Sequence, residues 1–596
     1  MKKRKVLGLL ALASVTTLAL AACGNNNATG AGAEEISSDL LPRVTANQDA
    51  ALEGGTLDIA SVNDSPFQGL FSPILSADAM DTRMMAPTGF GTLFNINDDG
   101  TLTDGGAADV VIDREAGTAT VTIREGVTWS DGTPLTSDDL LYTYYIIANP
   151  DYTGVRFSDI LNVVGTAEYR DGEADSIEGL EVIDERTLVV SFIEVSPSNL
   201  VINGGGLLSY AIPAHQLRGI PVGELAENPA IRNNPLSFGP FVVSEVVPGE
   251  TVKLARNDYF WGERPNIDTI IMHNVASSGI IQALQAGQFD IVLGMPTDSF
   301  PNYRDTEGYE FLGAPEMAYT YLGFNLGTFD AENSINVMDP NAVMASRELR
   351  QAMGYALDNE RIGQEFYHGL RTQANTLITP AFGELSLSRS ELPGYGYGEN
   401  LDRANELLDE AGFIDADGDG WRDNPDGSPL VINFASMSGG DIAEPLAQYH
   451  LQQWQEIGLN VGLLEGRLHD FQSFYDRIQA DDPEIHVFLA AWSLSWNPAP
   501  RALYGPNAAF NFSRYVSDEH TALIDAIDSE AAFDLDFRRE AFHAWQRYAS
   551  EQAFVIPTLF RTSVVPVHTR VTNWNINPTS SANDTWSAVG VTSETR

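Results

Sequence analysis

The chain has 596 residues, with 34 Lys and Arg against 82 Asp and Glu, a formal net charge of −48. Hydrophobic residues make up 43% and charged ones only 19%, a globular balance that excludes a disordered chain. The acidity excludes a general nucleic-acid role, which needs clustered cations, and the single cysteine, Cys23, excludes internal disulfides and cysteine-cluster metal sites.

The predicted elements begin with an address. Lys2, Lys3, Arg4 and Lys5 precede an apolar run from Val6 to Leu20, which has the length of a signal-peptide core and falls short of the roughly 20 residues of a membrane span. The run closes on Leu20-Ala21-Ala22-Cys23, which resembles the lipobox of bacterial lipoproteins. That resemblance implies cleavage before Cys23 and acylation of its thiol, so residues 1–22 read as a lipoprotein signal peptide. Residues 23–53 read as a flexible tether. The body is then expected outside the cytoplasm, held at the cell membrane by its lipid.

Along the body, short β-rich runs alternate with amphipathic helices. Thr120–Arg124 and Thr187–Phe192 read as strands between turn residues. Gly126, Gly132 and Pro134 set tight turns ahead of a helix that Ser137 or Asp138 can cap, with Leu141, Tyr144, Tyr145 and Ala148 at helical spacing. Leu349, Met353, Ala356 and Leu357 repeat that spacing, as do Ala404, Leu407, Leu408 and Ala411, where Gly412 marks a stop. The fold class is α/β. No solenoid repeat occurs.

After Gly412 comes an acidic loop in which Asp415, Asp417, Asp419, Asp423 and Asp426 occupy positions 1, 3, 5, 9 and 12 of twelve, with the Trp421 carbonyl at position 7. That is the ligand spacing of an EF-hand loop, with Asp in place of the bidentate Glu. Two readings fit it: a weak structural Ca2+ site, or a plain acidic hairpin before the strand read at Pro429–Phe434. No cofactor is otherwise required. No Gly-x-Ser-x-Gly elbow and no His-Glu-x-x-His occurs, and Lys253 is the only lysine beyond residue 5, which excludes a Walker A loop. The chain gives no positive sign of an enzyme.

From Gly54 onward the sequence resembles the bacterial extracellular solute-binding proteins of family 5, the oligopeptide-binding type that serves ABC transporters. The resemblance is carried by GGTLDIA (54–60), TVTIREGVTWSDGTPLTSDDLLYTY (120–144), GLEVIDERTLVVSF (179–192), NPLSFGPFVV (234–243), ARNDYFWGERPNID (255–268), ALQAGQFDIV (283–292), LRQAMGYALDNERI (349–362), ANELLDEAGF (404–413) and FNFSRYVSDE (510–519), in family order. It implies a two-lobed, hinge-closing fold of the periplasmic-binding-protein type. Lobe I would comprise residues 54–90, 235–320 and 555–596, with a subdomain inserted at 91–234, and lobe II residues 321–554.

The resemblance further implies a binder that captures an oligopeptide and passes it to the permease and ATPase subunits of an ABC importer, as a monomer. In many relatives an aspartate shortly after a tryptophan pairs with the peptide's α-ammonium. Here Trp492, Ser493, Leu494, Ser495, Trp496 and Asn497 stand in that segment, and no carboxylate occurs from Ile485 to Ser517. A buried ammonium without a counter-charge is costly, so this departure also fits a capped peptide or an oligosaccharide. Phe67, Thr320 and Asn325 complete the candidate ligand contacts. A ligand-sensing receptor and, with less support, an extracellular hydrolase using paired carboxylates are the competing functions.

Overall fold

The computed structural model describes residues 41–97, 100–392, 398–577 and 581–596; the signal peptide and Cys23 lie outside them. Among the described residues no helix is long and apolar enough to cross a membrane.

The backbone of the molecule is one sheet of eleven strands. In chain order they are β1 (Thr56–Val62), β6 (Phe241–Val247), β7 (Thr251–Arg256), β8 (Thr269–Val275), β9 (Ile291–Leu293), β10 (Tyr309–Phe324), β11 (Arg371–Gln373), β12 (Val431–Ala435), β13 (Asn460–Leu463), β14 (Val487–Ser493) and β15 (Val555–His568). Strands β2 (Ala108–Asp113), β3 (Thr118–Ile123), β4 (Leu180–Asp184) and β5 (Thr187–Ser191) form a separate sheet with its own core. The main sheet runs β13-β12-β14-β10-β15-β9-β1-β8-β7-β6, with β11 beside β15.

Two long strands, β10 and β15, run through both lobes. Their antiparallel register is continuous from Tyr309↔His568 to Pro315↔Thr562, breaks, and resumes at Tyr319↔Phe560. Pro315 lacks the N–H that a ladder needs. The break leaves Glu316, Met317 and Ala318 opposite Arg561 alone, a bulge that bends the pair where one lobe gives way to the other. On one side β1 pairs parallel with β8 and β9; on the other β12 pairs parallel with β13 and β14. In β1, Leu57 and Ile59 pack on one face and Ala60 on the other, all fully buried, and Ile432, Phe434 and Val487 are fully buried in lobe II.

Helices cover these faces: α1 (Ser137–Ala148) in the insert, α2 (Ser277–Gln285) in lobe I, and α3 (Arg347–Tyr355), α4 (Asn359–Tyr367), α5 (Leu401–Glu410), α6 (Ala443–Glu456), α7 (Asp518–Ile527) and α8 (Leu535–Gln552) in lobe II. The apolar spacings of α3 and α5 are buried as expected, and Gly412 takes the left-handed φ of +85° that ends α5. At the start of α1 the structure corrects the expected cap. The Asp139 carboxylate accepts the Thr136 N–H at 2.9 Å, whereas Asp138 pairs with Arg218 at 2.8 Å. The described end of the expected tether is also corrected. Thr45 donates its N–H to the Trp574 carbonyl at 3.0 Å and Leu52 to that of Val591 at 2.8 Å, so residues 41–53 lie along lobe I. Their unpaired main chain finds partners there, which composition alone did not reveal.

Candidate ligand-binding cleft

Between the lobes lies a cavity of about 330 Å³. It opens at the carboxyl ends of β1, β9 and β12, where the chain must turn and side chains are free to face a ligand. Lobe I contributes Asn63, Asp64, Ser277 and Asp298; the crossing strands contribute Thr320, Thr558 and Arg561; lobe II contributes Asn359, Tyr367, Arg371, the Ser436–Gly440 loop and His450.

The lobes are closed on each other. At one seam Gly440 donates its N–H to Ser277 Oγ at 3.1 Å, and Gln68 donates to Gln472 at 3.0 Å. Gly439 sits at φ +123°, where a Cβ would come within 2.5 Å of Asp64 Oδ2, so only glycine allows this approach. At the other seam the insert meets lobe II. The Ser198 hydroxyl reaches Asn497 Oδ1 at 3.4 Å and bonds the Asp528 carboxylate. Glu530 donates its N–H to Glu194 at 3.0 Å, and Arg114 lies 3.5 Å over the Phe533 ring.

Most polar groups in the cavity are already engaged. Thr320 and Thr558 share a hydroxyl bond of 2.7 Å, Arg561 pairs with Glu316 at 3.0 Å, and Asp64 accepts from Ser277 N–H and Oγ at 2.8–2.9 Å. Burial pushes the Asp298 carboxyl up, and burial pushes the His450 ring down to about 4. Two groups stand apart. Arg371 lies 3.9 Å over the Tyr367 ring with its pKa lowered by burial. Asn359, 1% exposed at the start of α4, has no hydrogen-bond partner for its Oδ1 or its Nδ2 among the described residues.

The expected ligand contacts divide. Thr320 does line the cavity. Trp492 instead packs in lobe II, stacked on Phe512 with centroids 5.0 Å apart and next to Tyr321 at 6.4 Å. Ser493 ends β14 opposite Ala318, Leu494 donates its N–H to Met317 O at 2.6 Å, and Ser495 Oγ accepts from Asn497 N–H at 3.3 Å. Trp496 and Asn497 belong to the closing seam: Trp496 packs so tightly on Gly100 that a Cβ there would lie 2.7 Å from its Cβ and 2.8 Å from the indole Cε3. Phe67 and Asn325 are corrected outright. Phe67 is core, 5.9 Å from Phe71, and the Asn325 amide is spent on Asp482 O at 3.3 Å and Gly327 N at 3.3 Å. Asn359, Arg371 and the Ser436–Gly440 loop were missed. The available signal was the small-residue run Ser-Met-Ser-Gly-Gly directly after a predicted strand.

The acidic loop is narrower than its spacing implied. Asp415, Asp417 and Asp419 bring carboxylate oxygens within 4.8 Å of one another, all exposed. Each already accepts a main-chain N–H of its own loop, from Gly418, Asp419 and Trp421. Asp423 turns to the Ala416 N–H at 3.0 Å and Asp426 to Ser428 at 2.6–2.9 Å, so of the six expected ligands the loop brings only Asp415, Asp417 and Asp419 together.

Comparison with known proteins places this geometry. The profile described as bacterial extracellular solute-binding proteins, family 5 Middle, matches residues 104–513. The oligopeptide-binding protein OppA of Lactococcus lactis subsp. cremoris is 34% identical over 602 residues, covering 100% of this chain and 99% of that protein. AppA of Bacillus subtilis, also named an oligopeptide-binding protein, is 23% identical over 93% of each chain. The solved structure of lactococcal OppA, closed on an endogenous peptide, superposes with a TM-score of 0.86 at 33% identity, covering 90% of this chain and 100% of that one.

Proposed function

The chain belongs to the bacterial extracellular solute-binding proteins of family 5, and from that premise we propose that it captures oligopeptides between its lobes and delivers them to an ABC importer. It binds its ligand without transforming it; the permease and ATPase subunits are separate partners, and the receptor works as a monomer. The oligopeptide-binding names of its relatives support the ligand class.

The observation that carries the reading is Asn359. A carboxamide offers one acceptor and two donors, the complement of a peptide group. Burying it unpaired in a cavity wall costs stability, and a ligand with matching groups restores the missing bonds. Asn359→Leu is therefore expected to weaken binding of a neutral hexapeptide about tenfold, the net worth of a lost hydrogen-bond pair, while leaving the melting temperature equal or higher. Titration calorimetry and thermal melts check both; undiminished hexapeptide affinity would remove Asn359 from the site.

Lipid anchoring at Cys23 completes the proposal, since a receptor tethered beside its importer acts at high local concentration. Two acyl chains hold stably where one is marginal. Cys23→Ala should move the protein from the membrane fraction into the medium or leave an uncleaved precursor; a variant still processed and membrane-bound would end that part.

A further inference from the structure

The insert is joined to lobe I through a shared core. Ile74, Leu75 and Phe238 of lobe I lie in the insert's cluster of buried side chains, and Phe238 meets Trp129 edge-on with centroids 5.2 Å apart. Any parting of lobe II from lobe I therefore has to break the contacts between lobe II and the insert. Those contacts centre on Phe533, at the end of the short turn Glu530–Phe533 in lobe II. Its ring packs against the insert's core, and the guanidinium of Arg114, the residue after β2, covers it at 3.5 Å. Beside this knob Glu194 accepts the Glu530 N–H at 3.0 Å, and the Ser198 hydroxyl bonds Asp528.

Both sides present these groups ready-made. Asn162 donates to the carbonyls of Glu194 at 2.7 Å and Gly205 at 2.8 Å, and accepts the Glu194 N–H at 3.1 Å. Asn199 accepts the Ser196 N–H and donates to the Gly205 carbonyl, both at 2.8 Å. Across the seam Arg501 holds Asp528 at 3.1 Å. Little ordering is then left to be lost on closing. None of these side chains lines the cavity.

From this we infer that the insert is a second jaw: Phe533 and Arg114 form a latch that favours the closed protein without touching the ligand, and so sets affinity for every ligand alike. Apparent affinity scales with the fraction of protein in the competent state. A contact made only on closing raises that fraction whatever fills the cleft. A partly buried phenyl ring under a guanidinium is worth about tenfold in such an equilibrium.

The test compares a neutral and an acidic hexapeptide by calorimetry and stopped-flow release. Phe533→Ala should weaken both by the same factor of about tenfold, mainly through faster release, and leave the ratio between them unchanged. Arg114→Ala alters the opposite, exposed side of the latch and should weaken both about threefold. The double variant should lose less than the product of the two, because Arg114 then has no ring to cover. Undiminished affinity in Phe533→Ala, or unequal losses for the two peptides, overturns the latch. Closure is also read without any ligand. The Cys23→Ala chain has no other cysteine, so nitroxides at Glu173→Cys in the insert and Glu540→Cys in lobe II, both exposed positions, report the separation by pulsed electron resonance. The closed, short-distance population of the ligand-free parent should shrink in Phe533→Ala. If neither peptide binds, this measurement decides alone: a population lost with Phe533 upholds the latch while the peptide reading fails, and a population unchanged, or absent from the parent, ends both.

Discussion

Asp290→Ala should cost about 3–5 kcal/mol of stability, the usual penalty for stripping one partner from a buried ion pair. Asp290 is fully buried just ahead of β9. Arg570, two residues beyond β15, donates to it from Nε at 2.6 Å and Nη2 at 2.8 Å. Arg596 adds bonds of 3.0 and 2.9 Å, and the Asp58 N–H in β1 adds another at 2.9 Å. One carboxylate thus ties three neighbouring strands of lobe I to the last residue of the chain. Without it Arg570, 7% exposed, keeps only carbonyl acceptors for a full charge. Arg596→Ala should cost about 1 kcal/mol or less, because that side chain is partly solvated. Urea unfolding of both variants checks the contrast; similar losses in the two would mean that the network is not centred on Asp290. Burial alone would raise the Asp290 pKa, but the two guanidinium groups outweigh it and hold it below the ordinary 3.8. The sign follows: the folded state favours the ionised form, so this stabilisation is complete above that ordinary value and is lost as pH falls below it.

What the sequence made legible was periodicity, turns and order. Leu349, Met353, Ala404 and Leu408 announced buried helix faces, and the Asp-Gly-Thr-Pro-Leu turn announced α1, because spacing and turn chemistry act over a few residues. The cleft was less legible for a physical reason. It is assembled from strand ends hundreds of residues apart, and a side chain's facing there depends on register. Residues 489–491 of β14 line the cavity, while Trp492, the next residue, packs away from it against Phe510 and Phe512. Composition cannot show that turn of one residue. Asn359 looked like an ordinary helix-start asparagine, and Arg371 like one arginine among many. Only the closed structure shows that the first has no hydrogen-bond partner among the described residues and that the second stacks on Tyr367 in the cavity wall. The Trp496–Asn497 pair was expected at the ligand, but the structure sets it against Gly100 and Ser198 of the insert, which places it at the closing seam.

Acid should weaken the fold well before Asp290 titrates. His450 and His520 are each 1% exposed, and burial pushes both rings down to about 4. His450 is wedged between Phe434 and Trp454, with its Nδ1 2.8 Å from the Leu446 carbonyl. His520 Nε2 accepts the Trp545 indole N–H at 3.1 Å, a bond that a protonated ring cannot accept. In the unfolded chain both rings take up protons near the ordinary value of 6.5. Between about pH 6.5 and 4 the unfolded state therefore binds more protons than the folded state, and stability falls as pH falls. The loss is complete by about pH 4 and approaches 3 kcal/mol for each ring, from 1.36 kcal/mol per pKa unit. That is a large part of ordinary folding stability. The acidic surface works in the opposite direction, since protonating carboxylates toward pH 4 relieves the self-repulsion of a net charge of −48. The rings must therefore be isolated by comparison. Melting curves from pH 7 to 4 for the parent, His450→Gln, His520→Gln and the double variant provide it. Glutamine keeps a hydrogen-bonding group at each site but takes up no proton. Each single variant should flatten the pH dependence by about half and the double should abolish the acid loss. A double variant with the parent's slope would place the acid sensitivity elsewhere and return both rings to plain packing.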